Sequence, residues 1–340
     1  MIPASKSTGV PAWRAERSWL DDTIVCDGLL PWAKGFLPPA ASLTEQLKRF
    51  HAAGCDHISL SAAAGNDTAV DAMARLGLLR RELAAASDWI DIAGDRAGIR
   101  AAKAAGRLSV SLHFQSATPF APDLDLVEAF QAAGIQRAIL AYNEANVFAD
   151  GCHEPRNAGL SALGQRLIAR MDEVGMLVDL SHCGERTSFD AMSAPLRRPP
   201  VFSHSNARAL FDHERNITDA QIKACADRGG SIGINGVGMF LGCEGPDIPR
   251  VMARNAAHVA GIAGMDRVAL GLDFMFLERS DYGFFHAARG RWPRGYPPPP
   301  WHFLQPEQFG DLVTELEAAG FDQAGIKGIL GANYLRHSTA

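Results

Sequence analysis

Two histidines close short apolar runs that read as strands: Met176-Leu-Val-Asp-Leu-Ser-His182 and Pro200-Val-Phe-Ser-His204-Ser205. A helix-like stretch precedes the first run and another separates the two. Strand, helix, strand in that rhythm makes parallel neighbours in one sheet. Both imidazoles then stand at the carboxyl ends of adjacent strands, the edge where barrels and doubly wound sheets place ligands and catalytic groups. Neutral imidazole is a common metal ligand, so His182 and His204 read as half of a metal site. A lone strand-end histidine is more often a hydrogen-bonded structural residue. Two on successive strands, followed by the long polar loop Ser205–Asn216, weigh against that.

The elements that must position them are eight strand candidates: Thr23–Asp27, Cys55–Ser61, Leu108–Gln115, Arg137–Asn143, Met176–His182, Pro200–Ser205, Ser231–Gly236 and Val268–Phe274. Most are separated by helical patterns. Ser42-Leu-Thr-Glu45 and Thr218-Asp-Ala-Gln221 are capping boxes. Ser161–Gly175 carries Leu163, Leu167, Ile168 and Met171 on one face and stops at Gly175. Asn66–Ser87 and Arg96–Gly106 read as helices around a short run at Trp89–Ala93. Eight strands alternating with helices favour a closed (β/α)8 TIM barrel over an open sheet. The carboxyl ends gather Asp27, Gln115, Tyr142, Asn143, His182, His204, Asn235 and Asp273, a convergence that a purely structural sheet does not need.

The chain has 340 residues, 47% hydrophobic and 21% charged, with net charge −5. That suits one large domain over residues 1–340. No basic stripe with interleaved aromatics speaks for nucleic acid. No apolar run reaches the length of a membrane span, and the amino terminus has no signal-peptide core. A cytoplasmic location is the expectation. Six scattered cysteines without a CxxC pair read as reduced and packed. After the last strand, a loop at about 276–305 holds the aromatic, Arg- and Pro-rich run Tyr282–Trp301. It reads as a lid or as a dimer contact, with an ordered surface loop as the alternative, and a homodimer is expected.

Longer stretches carry a resemblance. Tyr142–Gly151, Gly159–Gly164, Met176–His182, Ser203-His-Ser205, His213-Glu-Arg-Asn216, Gly271-Leu-Asp273-Phe and Ala332-Asn-Tyr-Leu-Arg336 resemble the membrane (renal) dipeptidase family of zinc barrels, peptidase family M19. The resemblance implies a metal-dependent hydrolase. It matches His182 and His204 to the second metal of a two-zinc site, Asp273 to the catalytic aspartate and Arg215 to the substrate arginine. Other positions depart from the family. The first strand reads Val25-Cys-Asp27-Gly28-Leu29-Leu30-Pro31-Trp32, without the family's His-x-Asp pair. Gln115 stands where the bridging glutamate is expected, and Tyr142 where a substrate histidine is expected. The pattern looks like a divergent bacterial branch with a degenerate metal site.

Two imidazoles and an amide trap zinc poorly, and a two-metal cluster without its carboxylates would be strongly positive. One zinc ion at most is expected, or none. The leading reading is an amidohydrolase of a small amide or peptide-like carboxylate. Asp273 would be its general base, Arg215 the clamp on the substrate carboxylate, and Tyr142 and Gln115 hydrogen-bond donors. The alternatives are a metal-free small-carboxylate-binding protein on the same barrel, and a lyase or isomerase step in the same pocket. Cys183 and His113 read as packed residues and Asp27 as a turn cap, with Asp27 or His113 as a substitute metal ligand left as the alternative. His153 and His213 lie in loops, and a part for His213 in the substrate pocket, two residues before Arg215, is the lesser alternative.

Overall fold

In the computed structural model, residues 10–32, 41–275, 297 and 300–337 are described. Most of the loop at about 276–305 lies outside them. The strands are β1 Cys26–Leu30, β2 His57–Ala64, β3 Ile90–Ile92, β4 Leu108–Gln115, β5 Ile135–Ile139, β6 Leu177–Asp179, β7 Ile232–Ile234 and β8 Val268–Leu270. All pairings between them are parallel, in the order β1-β2-β4-β5-β6 and β7-β8. The run at 200–205 is not a full strand. It forms single bridges, Asp179↔Val201 and Phe202↔Ile232, and these join the two sheets. The ring closes where Asp273 N–H donates to Leu29 O at 3.0 Å. The fold is the expected (β/α)8 barrel.

Several boundaries differ from the sequence reading. β1 starts at Cys26 and continues to Leu30, because Val25 O accepts from Asp56 and His57 N–H rather than joining a ladder. β5 and β6 end before Asn143 and His182, whose backbones turn to positive φ. The short β3 pairs only with the start of β4, whose second half pairs with β5. It therefore adds a rung beside the barrel and is not one of its staves.

The helices form where capping and periodicity place them. Thr218 and Gln221 cap Asp219–Asp227 reciprocally, and Gly175 ends Ala162–Val174 in the left-handed region. At Ser42 only half of the box forms: its hydroxyl accepts from Glu45 N–H, while the Glu45 carboxylate pairs with Lys48. The outer helices bury one face each, for example Leu43, Leu47 and Phe50, against the outward side chains of the strands.

The barrel interior, in contrast, is polar. Arg137 pairs with Asp179 at 3.1 Å and donates to Gly28 O, tying β5, β6 and β1 across the lumen. Asp179 in turn accepts from Ser181 and Ser203 N–H, which fixes the two segments that end in His182 and His204. Strand approach there needs glycine: a Cβ on Gly233 would lie 1.9 Å from Ser203 O, and one on Gly271 2.0 Å from it.

Candidate active site

His182 and His204 meet at the carboxyl-terminal mouth, Nε2 to Nε2 at 2.9 Å. Their outer nitrogens are held as well. Asn143 Oδ1 lies 2.7 Å from His182 Nδ1, and Ser203 Oγ lies 2.7 Å from His204 Nδ1. A carbonyl oxygen only accepts, so His182 carries its proton on Nδ1 and presents a lone pair at Nε2. His204 Nε2–H then donates to it, and the Ser203 hydroxyl donates to His204 Nδ1. Both imidazoles are fully buried and kept neutral: burial holds their pKa well below the usual value, and the Arg215 charge adds to it.

Three site residues sit at positive φ without being glycine: Asn143 at 62°, His182 at 66° and Asp273 at 55°. Each stands just past the end of its strand. Left-handed backbone costs roughly 1–2 kcal/mol per residue outside glycine, less for Asn and Asp. Such strain clusters at functional sites. It turns these side chains out of the strand direction and into the mouth.

Asp273 is held by Asn235, whose Nδ2 donates to Oδ2 at 3.0 Å. Asn235 is itself fixed by Asn206, which accepts from its N–H and donates to its carbonyl. Burial pushes the Asp273 carboxyl up to about 6, against the pull of Arg215 and the Asn235 bond. Arg215 is 2% exposed. It donates to His204 O at 3.3 Å and packs its guanidinium 5.3 Å above the Phe240 ring, while its Nε is buried without a partner. His213 Nδ1 accepts from Arg215 N–H at 3.0 Å, so His213 shapes the loop that carries Arg215. The Tyr142 ring stacks on His182 at 4.1 Å. A polar cavity of about 250 Å³ opens beside His182 and Arg215, with Glu154, Glu185 and Asn216 on its wall.

The structure thus brings Tyr142, His182, His204, Arg215 and Asp273 to one mouth. Gln115 ends β4 at the same edge and is buried, but no hydrogen bond joins it to those five. Asp27 is the turn cap expected: Oδ1 accepts from Leu29 and Leu272 N–H at 3.0 and 2.8 Å. Cys183 is packed in the apolar core. His113 is buried, with Nδ1 on Ser59 Oγ, and its Nε2 has no partner. His153 pairs with Glu214 at 3.2 Å. Asn143 and Asn235 stand at strand ends in the sequence, but nothing there reveals that they orient His182 and Asp273. Ser203 is legible only as a neighbour of His204.

The residues present fit one metal ion better than two. Two nitrogens bound to one tetrahedral zinc at about 2.0–2.1 Å lie roughly 3.3 Å apart, so the hydrogen-bonded pair at 2.9 Å would have to part slightly to hold one ion. Asn143 already accepts from His182 Nδ1–H as such a ligand needs, and His204 would have to shift its proton to Nδ1 with the Ser203 hydroxyl accepting. Among the described residues, however, no group of three or more His, Cys, Asp or Glu side chains is placed to hold a metal. Leu29 and Leu30, both fully buried, stand where the His-x-Asp pair was expected.

The family profile for membrane dipeptidase (peptidase family M19) matches residues 41–339. An uncharacterised protein from the pqqA 5′ region of Klebsiella pneumoniae is 28% identical over 77% of this chain and 93% of its own length. An uncharacterised dipeptidase of Schizosaccharomyces pombe is 28% identical over 73% of this chain, which spans 56% of that relative. An amidohydrolase from Pseudomonas aeruginosa superposes with a TM-score of 0.84 at 25% identity, covering 94% of this chain and 97% of the other.

Proposed function

The chain belongs to the membrane dipeptidase family of hydrolases, and on that premise we propose that it hydrolyses a small amide or peptide-like carboxylate with one metal ion at most. The observation that carries this is the pair of facing Nε2 atoms, 2.9 Å apart, with Asp273 and Arg215 beside them. A zinc ion on His182 and His204 would supply Lewis acidity when bound.

The chain's own groups do the rest. Arg215, buried and rigid, binds the substrate carboxylate through its fork of N–H donors. Tyr142 and Gln115 offer hydrogen bonds to the scissile carbonyl or the substrate tail. Asp273, oriented by Asn235, takes the proton of the attacking water and returns it to the leaving amine. A carboxyl near 6 suits both halves of that transfer at neutral pH. The polar cavity beside His182 receives the far end of the substrate.

A second reading has its own support. Gln115 and Leu29 bring no charge to the half of the mouth where a bridging carboxylate and a His-x-Asp pair would stand. A protein that only binds a small carboxylate on Arg215 would keep the same pocket.

The test is a library of dipeptides, N-acyl amino acids and related amides, assayed with and without added zinc beside Asp273→Asn. The expected result is weak or no turnover of common L,L- and L,D-dipeptides, with turnover of a narrower amide class that Asp273→Asn abolishes. Fast hydrolysis of many ordinary dipeptides, at about 10 per second or more, would overturn the one-metal reading. Saturable carboxylate binding without any turnover would establish the second reading instead.

A further inference from the structure

The barrel holds another cavity at the end opposite the imidazole pair. It measures about 110 Å³, and its wall is built at the amino ends of the strands by Ser59, Arg137, Gly175, Arg198, Ser231 and Tyr334, among others. One water needs roughly 10–15 Å³ on this scale, so the space holds several waters or one compact ion. His337 stands at its edge, with Nε2 buried and without a partner.

The charge balance of this space is one-sided. Two guanidiniums line it and no Asp or Glu side chain does. Arg137 is 6% exposed and is balanced by Asp179 at 3.1 Å, which leaves Arg198 as the lining guanidinium without an ion pair among the described residues. His57, His113 and His204 are all held below the usual imidazole pKa, by burial first and with Arg137 adding to it. Arg198 donates to the carbonyls of Gly175 and His337, which locks its side chain across the cavity rim. Serine hydroxyls and the Tyr334 hydroxyl supply further polar groups. The fixed Arg198 guanidinium, with hydroxyls and no carboxylate on the cavity wall, forms a donor set suited to an oxyanion.

We propose that this rear cavity binds a compact oxyanion, of phosphate or small-carboxylate chemistry, on Arg198, Arg137 and the surrounding hydroxyls. The site is separate from the mouth, where Arg215 serves. It touches the mouth at one point: Ser203 lines the cavity, and its hydroxyl bonds His204 Nδ1. An anion bound there therefore meets the support of His204 and not the imidazole pair.

The experiment titrates inorganic phosphate and acetate separately into the full chain, with chloride at matched ionic strength as the control. Binding is read by thermal unfolding and by calorimetry. Phosphate, acetate or both should give a saturable response that persists in Arg215→Gln and weakens at least about tenfold in Arg198→Gln, the scale of losing a charge-assisted hydrogen bond. Arg198→Lys, which keeps the charge, should restore part of it. If Arg198→Gln does not fold, Tyr334→Phe takes its place and should weaken the response. A stronger response to phosphate than to acetate assigns a tetrahedral anion, and the reverse assigns a carboxylate. The proposal is overturned by the absence of any saturable response beyond chloride. It is equally overturned by a response that Arg215→Gln abolishes, which places the anion at the mouth, or by one indifferent to the rear-cavity substitutions.

Discussion

Asp27→Asn should stabilise the protein, and by an amount that depends on pH. Asp27 is fully buried; Oδ1 accepts two backbone N–H bonds, and Oδ2 has no partner. Burial raises its carboxyl from 3.8 to about 7, partly offset by those two bonds, with the nearby Asp273 charge adding to the rise. The sign follows directly. A carboxyl raised in the folded state stabilises fully below the unfolded value, and that contribution is lost as pH rises to the folded value. The interval from 3.8 to about 7 spans 3.2 pH units. At about 1.4 kcal/mol per unit this sets a ceiling of about 4 kcal/mol. Asparagine keeps both N–H bonds through its own Oδ1. Its amide nitrogen takes the place of Oδ2, where a protonated acid would also carry an unpaired hydrogen. The variant should thus match the wild type near pH 4 and gain steadily up to pH 7. Between pH 5 and pH 8 its advantage should grow by about 3 kcal/mol, two units' worth. The buried histidines are common to both proteins and cancel in the difference. Urea unfolding at pH 5, 6, 7 and 8 measures it. A difference that stays flat across that range would refute the reasoning, because it would mean that Asp27 titrates in the folded protein as it does in water.

Other outcomes follow from the mouth. Asn143→Ala and Asn143→Gly both lose the bond to His182, but only alanine also bears the left-handed backbone. Urea midpoints should therefore place Asn143→Gly above Asn143→Ala by about 1 kcal/mol, and the reverse order would remove backbone strain from the account. After zinc loading and desalting, elemental analysis should find at most one ion per chain, and none in His182→Ala; two retained equivalents would show that further side chains act as ligands. Arg215→Ala should weaken binding of a carboxylate substrate or product by roughly 1.5–3 kcal/mol, the scale of a hydrogen bond to a charged group. An unchanged dissociation constant would take Arg215 out of the site.

What was legible in the sequence was whatever depends on local pattern. The period of the apolar runs and their helical spacers gave the barrel. The His-ended segments, Asp273 and Arg215 stand where their motifs put them. The failures have a common physical origin. The run at 200–205 reads as a strand from its composition, yet it makes only two bridges, because Ser203 N–H is taken by Asp179 and the segment turns early to present His204. Strand ends were placed too late at Asn143 and His182 because positive φ leaves no mark in residue type, except that asparagine tolerates it. The partner of His204 is its neighbour Ser203, but that of His182 comes from far along the chain: Asn143 lies 39 residues before it. The rear cavity was invisible for the same reason, since Ser59, Arg137, Arg198 and Tyr334 meet only after the barrel closes.

This division bears on how the mouth should be understood. The mouth is ordered although no His-x-Asp pair follows Asp27. His182, His204 and Asp273 are each held by a neutral neighbour, Asn143, Ser203 and Asn235, and two of the three sit in strained backbone. Strain of that kind lasts only where surrounding bonds over-determine it. Asp179 supplies part of that frame by accepting from Ser181 and Ser203 N–H, with Arg137 on the neighbouring strand neutralising it. The positioning apparatus for a pair of imidazoles, a carboxylate and an arginine is thus built into the barrel wall itself. Among the described residues no hydrogen bond joins Gln115 to it, and Leu29 enters it only through its backbone carbonyl, which accepts from Asp273 N–H. The proposed substrate, with a carboxylate for Arg215 and a carbonyl beside His182 and Asp273, asks only for the groups that this frame holds.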